Sequence, residues 1–257
     1  MIEILLKEWI EQVKYYIHLI ADYSIKESQV GAVLDDVLNL SGKMLRSKLL
    51  LLCAFLGSNW KNNKEKICKL AAMVELTHLA SLIHDDIVDD SPYRRGKVSI
   101  QGKYGKDAAV FAGDFLIARI FYYGAVENLN EAVSILSKTV EYMCIGEIEQ
   151  DLCRYQEDIS EKKYFENIER KTAALFQAAS YIGAKEAGCS EKIIQKLGLF
   201  VKNLGLMFQL KDDILDFTSN SKELGKETHK DFQNGIYTFP VIMALKNPKA
   251  REVLLPI

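Results

Sequence analysis

The chain has 257 residues, 49% of them apolar and 26% charged, with a formal net charge of −2. That length supports a substantial buried core, and the charge balance excludes the broad basic field of a nucleic-acid binder. Only Pro92 precedes residue 240, so long helices are permitted almost throughout.

The elements follow in order. Ile2–Ala21 carries apolar residues at helical spacing (Leu5, Leu6, Trp9, Ile10, Val13, Tyr16, Ile17) and predicts an amphipathic helix. Ser28–Leu38 predicts a second. Residues 40–57 predict a third, apolar all round from Leu49 to Leu56 and ending near Gly57, with Lys43 and Arg46 on one face at its start. After a polar loop, Asn59–Lys66, a long apolar helix runs from Glu65 into SLIHDDIVDD. Ser91–Gly105 reads as a loop. Lys106–Leu129, Glu131–Tyr155, Asp158–Glu186 and Ser190–Asp216 read as helices. A polar segment follows, read as an ordered loop over something charged, and Ile236–Leu245 begins a last helix. No stretch shows strand alternation with hairpin turns, and there is no strand-anchored glycine-rich phosphate loop, HExxH or GxSxG.

Cys53, Cys68, Cys144, Cys153 and Cys189 form no CxxC pair and are odd in number, so they read as buried free thiols in a reducing, cytoplasmic setting. The N-terminus has acids inside its apolar stretch and lacks the order of a signal peptide. No uninterrupted apolar run reaches the roughly 18 residues of a membrane span. Peripheral membrane contact is compatible with this composition.

The chemistry concentrates in two echoing stretches. Asp85, Asp86 and Asp89 stand at i, i+1 and i+4, and so do Asp212, Asp213 and Asp216. Each set ends an apolar helix, where the partial negative charge of the helix terminus already disfavours acids. Acids four apart on a helix share one face and repel. Two such liabilities of the same form point to cations, and magnesium fits best: it takes few carboxylates and bridges to phosphate oxygens. Basic residues accompany them (Arg94, Arg95, Lys171, Lys211, Lys226 and Lys230, with Lys43 and Arg46 as a second group), as a diphosphate ligand requires. His78 lies two turns before Asp85 on the same face. Glu147, Gln150 and Asp151 put a polar stripe on an otherwise apolar helix, which needs partners if buried.

Taken together, GKMLRSKLL, ELTHLASLIHDDIVDDSPYRRG, GEIEQ, RKTAALF and FQLKDDILDFTSNSKELGKETHKDFQNGIYTFPVI resemble the linked motifs of trans-isoprenyl diphosphate synthases, the polyprenyl synthetases, over nearly the whole chain. The wording is most similar to the large catalytic subunits of heptaprenyl and hexaprenyl diphosphate synthases. The resemblance implies one all-α domain over residues 1–257, a helical bundle around a deep cavity, short at the C-terminus. It implies head-to-tail addition of isopentenyl diphosphate to an allylic diphosphate, farnesyl or geranylgeranyl. Asp85, Asp86, Asp89, Asp212, Asp213 and Asp216 would bind magnesium, several ions and three with substrate bound. Arg94, Lys171, Thr172, Gln209 and Lys226 would contact the allylic diphosphate. Lys43, Arg46, His78 and Arg95 would hold isopentenyl diphosphate. Asp85, Asp86, Asp89, Arg94, Lys171 and Asp212 are the expected catalytic set.

Ala80 and Ser81, one turn before Asp85, are small where short-chain relatives carry an aromatic residue; this implies a product of C30–C40, serving quinone side chains. The expected assembly is a homodimer, or a heterodimer with a small non-catalytic subunit. The sequence departs from the family pattern at Met44, Ser47, Val98, Ser99 and Gln101. The alternatives are a short-chain synthase, a terpene cyclase, a head-to-head synthase or a non-catalytic subunit. A cyclase would carry a different second metal motif in place of DDILD, and a non-catalytic subunit would have lost acids or bases that are present here.

Overall fold

The computed structural model describes residues 2–22, 28–40, 42–94, 96–218 and 229–255, with the backbone alone for Lys230. Arg95 and Lys226 lie outside the described residues, as does the Lys230 side chain. The fold is all-α. In chain order the helices are α1 (Ile2–Ile20), α2 (Gln29–Leu38), α3 (Leu45–Ala54), α4 (Lys64–Val88), α5 (Ile100–Tyr104), α6 (Lys106–Val126), α7 (Asn130–Leu152), α8 (Glu161–Ile168), α9 (Ala174–Glu186), α10 (Glu191–Thr218), α11 (Lys230–Gln233), α12 (Phe239–Leu245) and α13 (Pro248–Leu254). A five-residue π-turn, Glu169–Ala173, joins α8 to α9 without a break. The chain clusters into two compact units, residues 1–139 with 175–200, and residues 140–174 with 201–257.

In the first unit α4 is the central element, packed against α1, α3 and α6. Its residues Ala71–Thr77 are all buried, including Glu75 and Thr77, as expected for a helix apolar on every side. The amphipathic α1 buries Trp9, Val13 and Ile20, and Trp9 meets Phe55 edge-to-face at 5.0 Å between centroids. Helix α9 crosses α3 so closely that a Cβ at Gly183 would lie 2.2 Å from the Leu50 carbonyl oxygen. The second unit has its own core of Tyr164, Ile168 and Ile242, with Leu206, Leu210, Tyr237 and Phe239 packed on it.

Several expectations are corrected. Ser91–Gly105 is not loop throughout: it holds an antiparallel pair, β1 (Tyr93–Arg94) and β2 (Lys97–Val98), and then α5. Ser99 starts α5 by accepting the Gly102 N–H at 3.1 Å, a cap that outweighed the loop-like composition. Lys43 does not share a helix face with Arg46, because α3 begins only after Met44. Nor is α3 buried all round: Leu52 is exposed, and so is Leu56 just past its end. The last helical stretch is interrupted near Asn247, which caps α13. Of the cysteines, Cys53 and Cys68 are buried, Cys144 is exposed, and all five are free thiols.

Among the described residues two helices are long and apolar enough to cross a membrane, α4 and α6, although neither is an uninterrupted apolar run. In α4, 72% of the apolar window is buried by the fold, as in a core helix; in α6 the share is 33%.

Candidate active site

The first acidic turn closes α4. The Asp89 N–H donates to the Asp85 carbonyl at 2.9 Å, and Asp90 then turns left-handed at φ +46°. With Asp90 so placed, its N–H reaches the Ile87 carbonyl and the Ser91 N–H reaches the Asp86 carbonyl, at 3.2 and 2.9 Å. This is a Schellman stop, with aspartate in the position that glycine usually fills. Asp90, the one acid outside the repeated pattern, thereby ends the helix, and its carboxylate pairs with Lys106 at 2.9 Å.

Asp86 points inward, 2% exposed, and accepts a hydrogen bond from Arg94 Nε at 2.7 Å. The β1–β2 hairpin carries Arg94 back to the helix that precedes it. Gln101, one of the departures from the family pattern, donates from Nε2 to the Asp86 carbonyl at 2.5 Å. Asp85 and Asp89 are half-buried and stand on the accessible side of the turn. His78 is half-buried; Ser81, also half-buried, donates to its carbonyl at 2.9 Å, whereas Ala80 has no exposed surface. His84 turns to α6, where its ring meets the Val110 carbonyl and Asp114 and a Cβ at Gly113 would lie 2.3 Å from Nε2. On α3, the Arg46 guanidinium lies 4.5 Å from the centre of the Phe176 ring. Lys43 is exposed.

The second acidic turn is built differently. Asp213 is 5% exposed and accepts from Tyr164 Oη at 2.5 Å and from Gln209 Nε2 at 2.8 Å. Gln209 in turn accepts from Thr172 Oγ1 at 2.7 Å. Burial raises the Asp213 carboxyl above its ordinary value, its two hydrogen bonds oppose the rise, and the neighbouring Asp212 adds to it. Burial and the same carboxylate push the Tyr164 hydroxyl upward too. Asp216, 6% exposed, accepts the His229 backbone N–H at 3.0 Å, and Asp212 is exposed.

The π-turn explains how Thr172 meets α10. A Cβ at Gly205 would lie 2.7 Å from Ala173 Cα, so only glycine lets α10 approach the widened turn this closely. Gly205, Gln209 and Asp213 are spaced four apart and therefore form one stripe. Close backbone contact at the first brings Thr172 to the second and orders the third.

Of the predicted polar stripe on α7, Glu147 pairs with Lys171 at 2.9 Å, Gln150 accepts from Asn167 at 3.3 Å, and Asp151 pairs with Arg154 at 2.6 Å. Sequence reasoning passed over Glu149, which Lys163 and Arg170 clasp at 2.8 and 2.5 Å, and whose carboxyl those hydrogen bonds hold below its ordinary value. It also passed over Tyr164, whose partner lies forty-nine positions away. The only sequence signal for Tyr164 was an aromatic in a polar helix. Among the described residues no three His, Cys, Asp or Glu side chains gather into a closed metal site.

Residues 27–257 match the polyprenyl synthetase family. The chain is 36% identical over 234 residues to heptaprenyl diphosphate synthase component 2 of Geobacillus stearothermophilus, covering 90% of this chain and 72% of that protein. It is 38% identical to the Bacillus subtilis component 2, covering 85% of this chain and 62% of the relative. A polyprenyl synthase from Caulobacter crescentus, solved with calcium and isoprenyl diphosphate, superposes with a TM-score of 0.88 at 34% identity, over 97% of this chain and 74% of that one.

Proposed function

The chain belongs to the polyprenyl synthetase family, and we propose that it is a prenyltransferase that adds isopentenyl diphosphate head-to-tail to an allylic diphosphate. The observation that carries this reading is the pair of acidic turns, each with its middle aspartate buried and at least one neighbouring carboxylate left accessible or half-buried: Asp85 and Asp89 at the first, Asp212 at the second. These offer hard oxygen donors in sparse sets. Such sets suit magnesium, which keeps several waters and completes its shell with substrate phosphate. A protein cage would be required for a structural ion, and the described residues contain none. Magnesium held by Asp85, Asp86, Asp89, Asp212, Asp213 and Asp216 would polarise the diphosphate leaving group. The Caulobacter structure, with calcium and isoprenyl diphosphate, supports the same chemistry here.

The chain's own residues supply the rest. Arg94, Lys171, Thr172 and Gln209 would bind the allylic diphosphate, with Lys226 joining them. Arg94 and Lys171 are held by Asp86 and Glu147 before substrate arrives, so they are placed without further ordering. Lys43, Arg46, His78 and Arg95 would hold isopentenyl diphosphate. Arginine suits this role through its planar fork of donors.

We place the product at C30–C40, which the heptaprenyl relatives support. The name component 2 supports a partner subunit for this chain, which we propose is small and non-catalytic, with a homodimer as the other arrangement. The chain is read as one catalytic domain.

The test is incubation with magnesium, labelled isopentenyl diphosphate and farnesyl diphosphate, with and without a candidate small subunit, followed by sizing of the products. Incorporation into C30–C40 chains is expected, and its absence in both conditions would overturn the reading. Product length is tested separately. Ala80 is fully buried, so Ala80→Phe both shortens the product and overpacks the core by about 1–3 kcal/mol. Ser81→Phe, at a half-buried position, shortens the product without that strain. Unchanged products from both variants would remove these residues from chain-length control.

A further inference from the structure

We infer that Ser47 and Glu75 are a positioning pair that sets the turn bearing Arg46 against the turn bearing His78, and so adjusts the grip on isopentenyl diphosphate. The inference rests on the assignment of Arg46 and His78 to that substrate.

The start of α3 is unusual. Met44 occupies the N-cap with φ +52° and ψ +43°, a left-handed conformation for a bulky residue, and contributes no side-chain cap. Such a backbone persists only where its surroundings hold it. The first turn of a helix also lacks internal partners for its N–H groups. Something other than local propensity must fix this turn.

Ser47 does so. It has no exposed surface, and its Oγ–H lies 3.0 Å from the Ala71 carbonyl and 2.9 Å from Glu75 Oε2. Ala71 and Glu75 are one turn apart on α4, and His78 follows Glu75 by three residues, on the same face. The hydroxyl therefore fixes how far α3 sits along α4, at the level of His78. Glu75 is 6% exposed, and a carboxyl so buried is costly without hydrogen bonds, so the pairing is specific in position.

Arg46 precedes Ser47 directly. Its guanidinium rests over Phe176, which is 3% exposed and thus itself fixed. One contact sets the height of the turn and the other limits the swing of the side chain. A diphosphate read by donors from two helices is sensitive to both, since displacements of about 1 Å in positioning groups have large effects on rate.

The experiment measures binding of isopentenyl diphosphate and of farnesyl diphosphate by calorimetry, on the full chain with magnesium, and the two KM values where turnover is seen. Ser47→Ala is expected to weaken isopentenyl diphosphate about 10-fold, in the range of lost supporting contacts around a site, while farnesyl diphosphate binding stays within about twofold and kcat changes less than KM. Ser47→Thr, which keeps the hydroxyl, restores most of the loss. Phe176→Leu, which keeps an apolar side chain and removes the ring, gives the same selective loss through the second contact; it also carries the test should Ser47→Ala fail to fold, as checked by circular dichroism. Unchanged binding in Ser47→Ala and Phe176→Leu, or equal weakening of both diphosphates, overturns the inference. If the unmodified chain binds farnesyl diphosphate but not isopentenyl diphosphate, the substrate assignment itself fails and the inference falls with it, a result visible before any variant is made.

Discussion

The two acidic turns are spelled almost identically, DDIVD and DDILD, yet the fold neutralises them by different means. At the first, the buried Asp86 has a cation, with Arg94 Nε 2.7 Å away. At the second, the buried Asp213 is satisfied by neutral donors, the Tyr164 hydroxyl and the Gln209 amide. An ion pair cancels charge, whereas neutral hydrogen bonds only solvate it. The buried carboxylate of the first turn is thus compensated by a cation of the chain's own. The second retains the cost of a buried carboxylate, visible in the upward shift of Asp213. The lesson is that a motif specifies which ligands are offered, while its surroundings decide how much those ligands gain from a cation.

The largest expected effect tests where the two turns are alike. Asp85→Ala and Asp212→Ala should each lower isopentenyl incorporation by about 100-fold or more, the scale of losing an electrostatic group aimed at developing charge. A severe loss at one turn with near-normal rates at the other, measured as kcat/KM, would show that they do not share a role.

The next effect should separate the turns. Arg94→Met leaves Asp86 buried beside an apolar side chain and should destabilise the protein by about 3 kcal/mol, as for one partner of a buried pair. Urea unfolding reads this directly, and a change below about 0.5 kcal/mol would mean the pair behaves as a surface contact. Tyr164→Phe removes one neutral donor from Asp213 and should cost less, about 1–2 kcal/mol in the same measurement.

The smallest effect has the opposite sign. A carboxyl raised in the folded state contributes stability at pH values below its unfolded value of 3.8, and that contribution is lost as pH rises through the folded value. In chelator-treated buffer at pH 7, Asp213→Asn should therefore be the more stable form, by less than about 1 kcal/mol, with the difference shrinking as pH falls toward 4. Magnesium with inorganic diphosphate should stabilise the wild type and not the variant. Thermal melts that show the variant less stable at pH 7 would contradict the contrast between the turns.

Much of the helical layout was legible because its signals are local. The 3.6-residue spacing in Ile2–Ile20, the all-apolar run of α4 and the doubled aspartates need no knowledge of the rest of the chain. The hairpin at Tyr93–Val98 was not legible: each strand is two residues long, too short to alternate. The role of Asp90 was not legible because it lies in φ, and a side-chain pattern does not report backbone sign. Tyr164 and Glu149 were missed, and Ser47 was legible only as a departure from the family pattern, for another reason. Their partners stand fourteen to forty-nine positions away, so spacing along the chain carries no trace of them.

The sequence by itself determined an all-helical chain, two acid-rich helix ends and the set of bases that accompany them. Composition, periodicity and motif order act through nearest neighbours along a helix, so they can be read without a fold. Only the tertiary structure decided which aspartates of each turn are buried and what satisfies them, why Gly205 must be glycine, and how Ser47 ties Arg46 to the level of His78. Those outcomes depend on desolvation and on close packing between distant segments, and neither exists until the chain has folded.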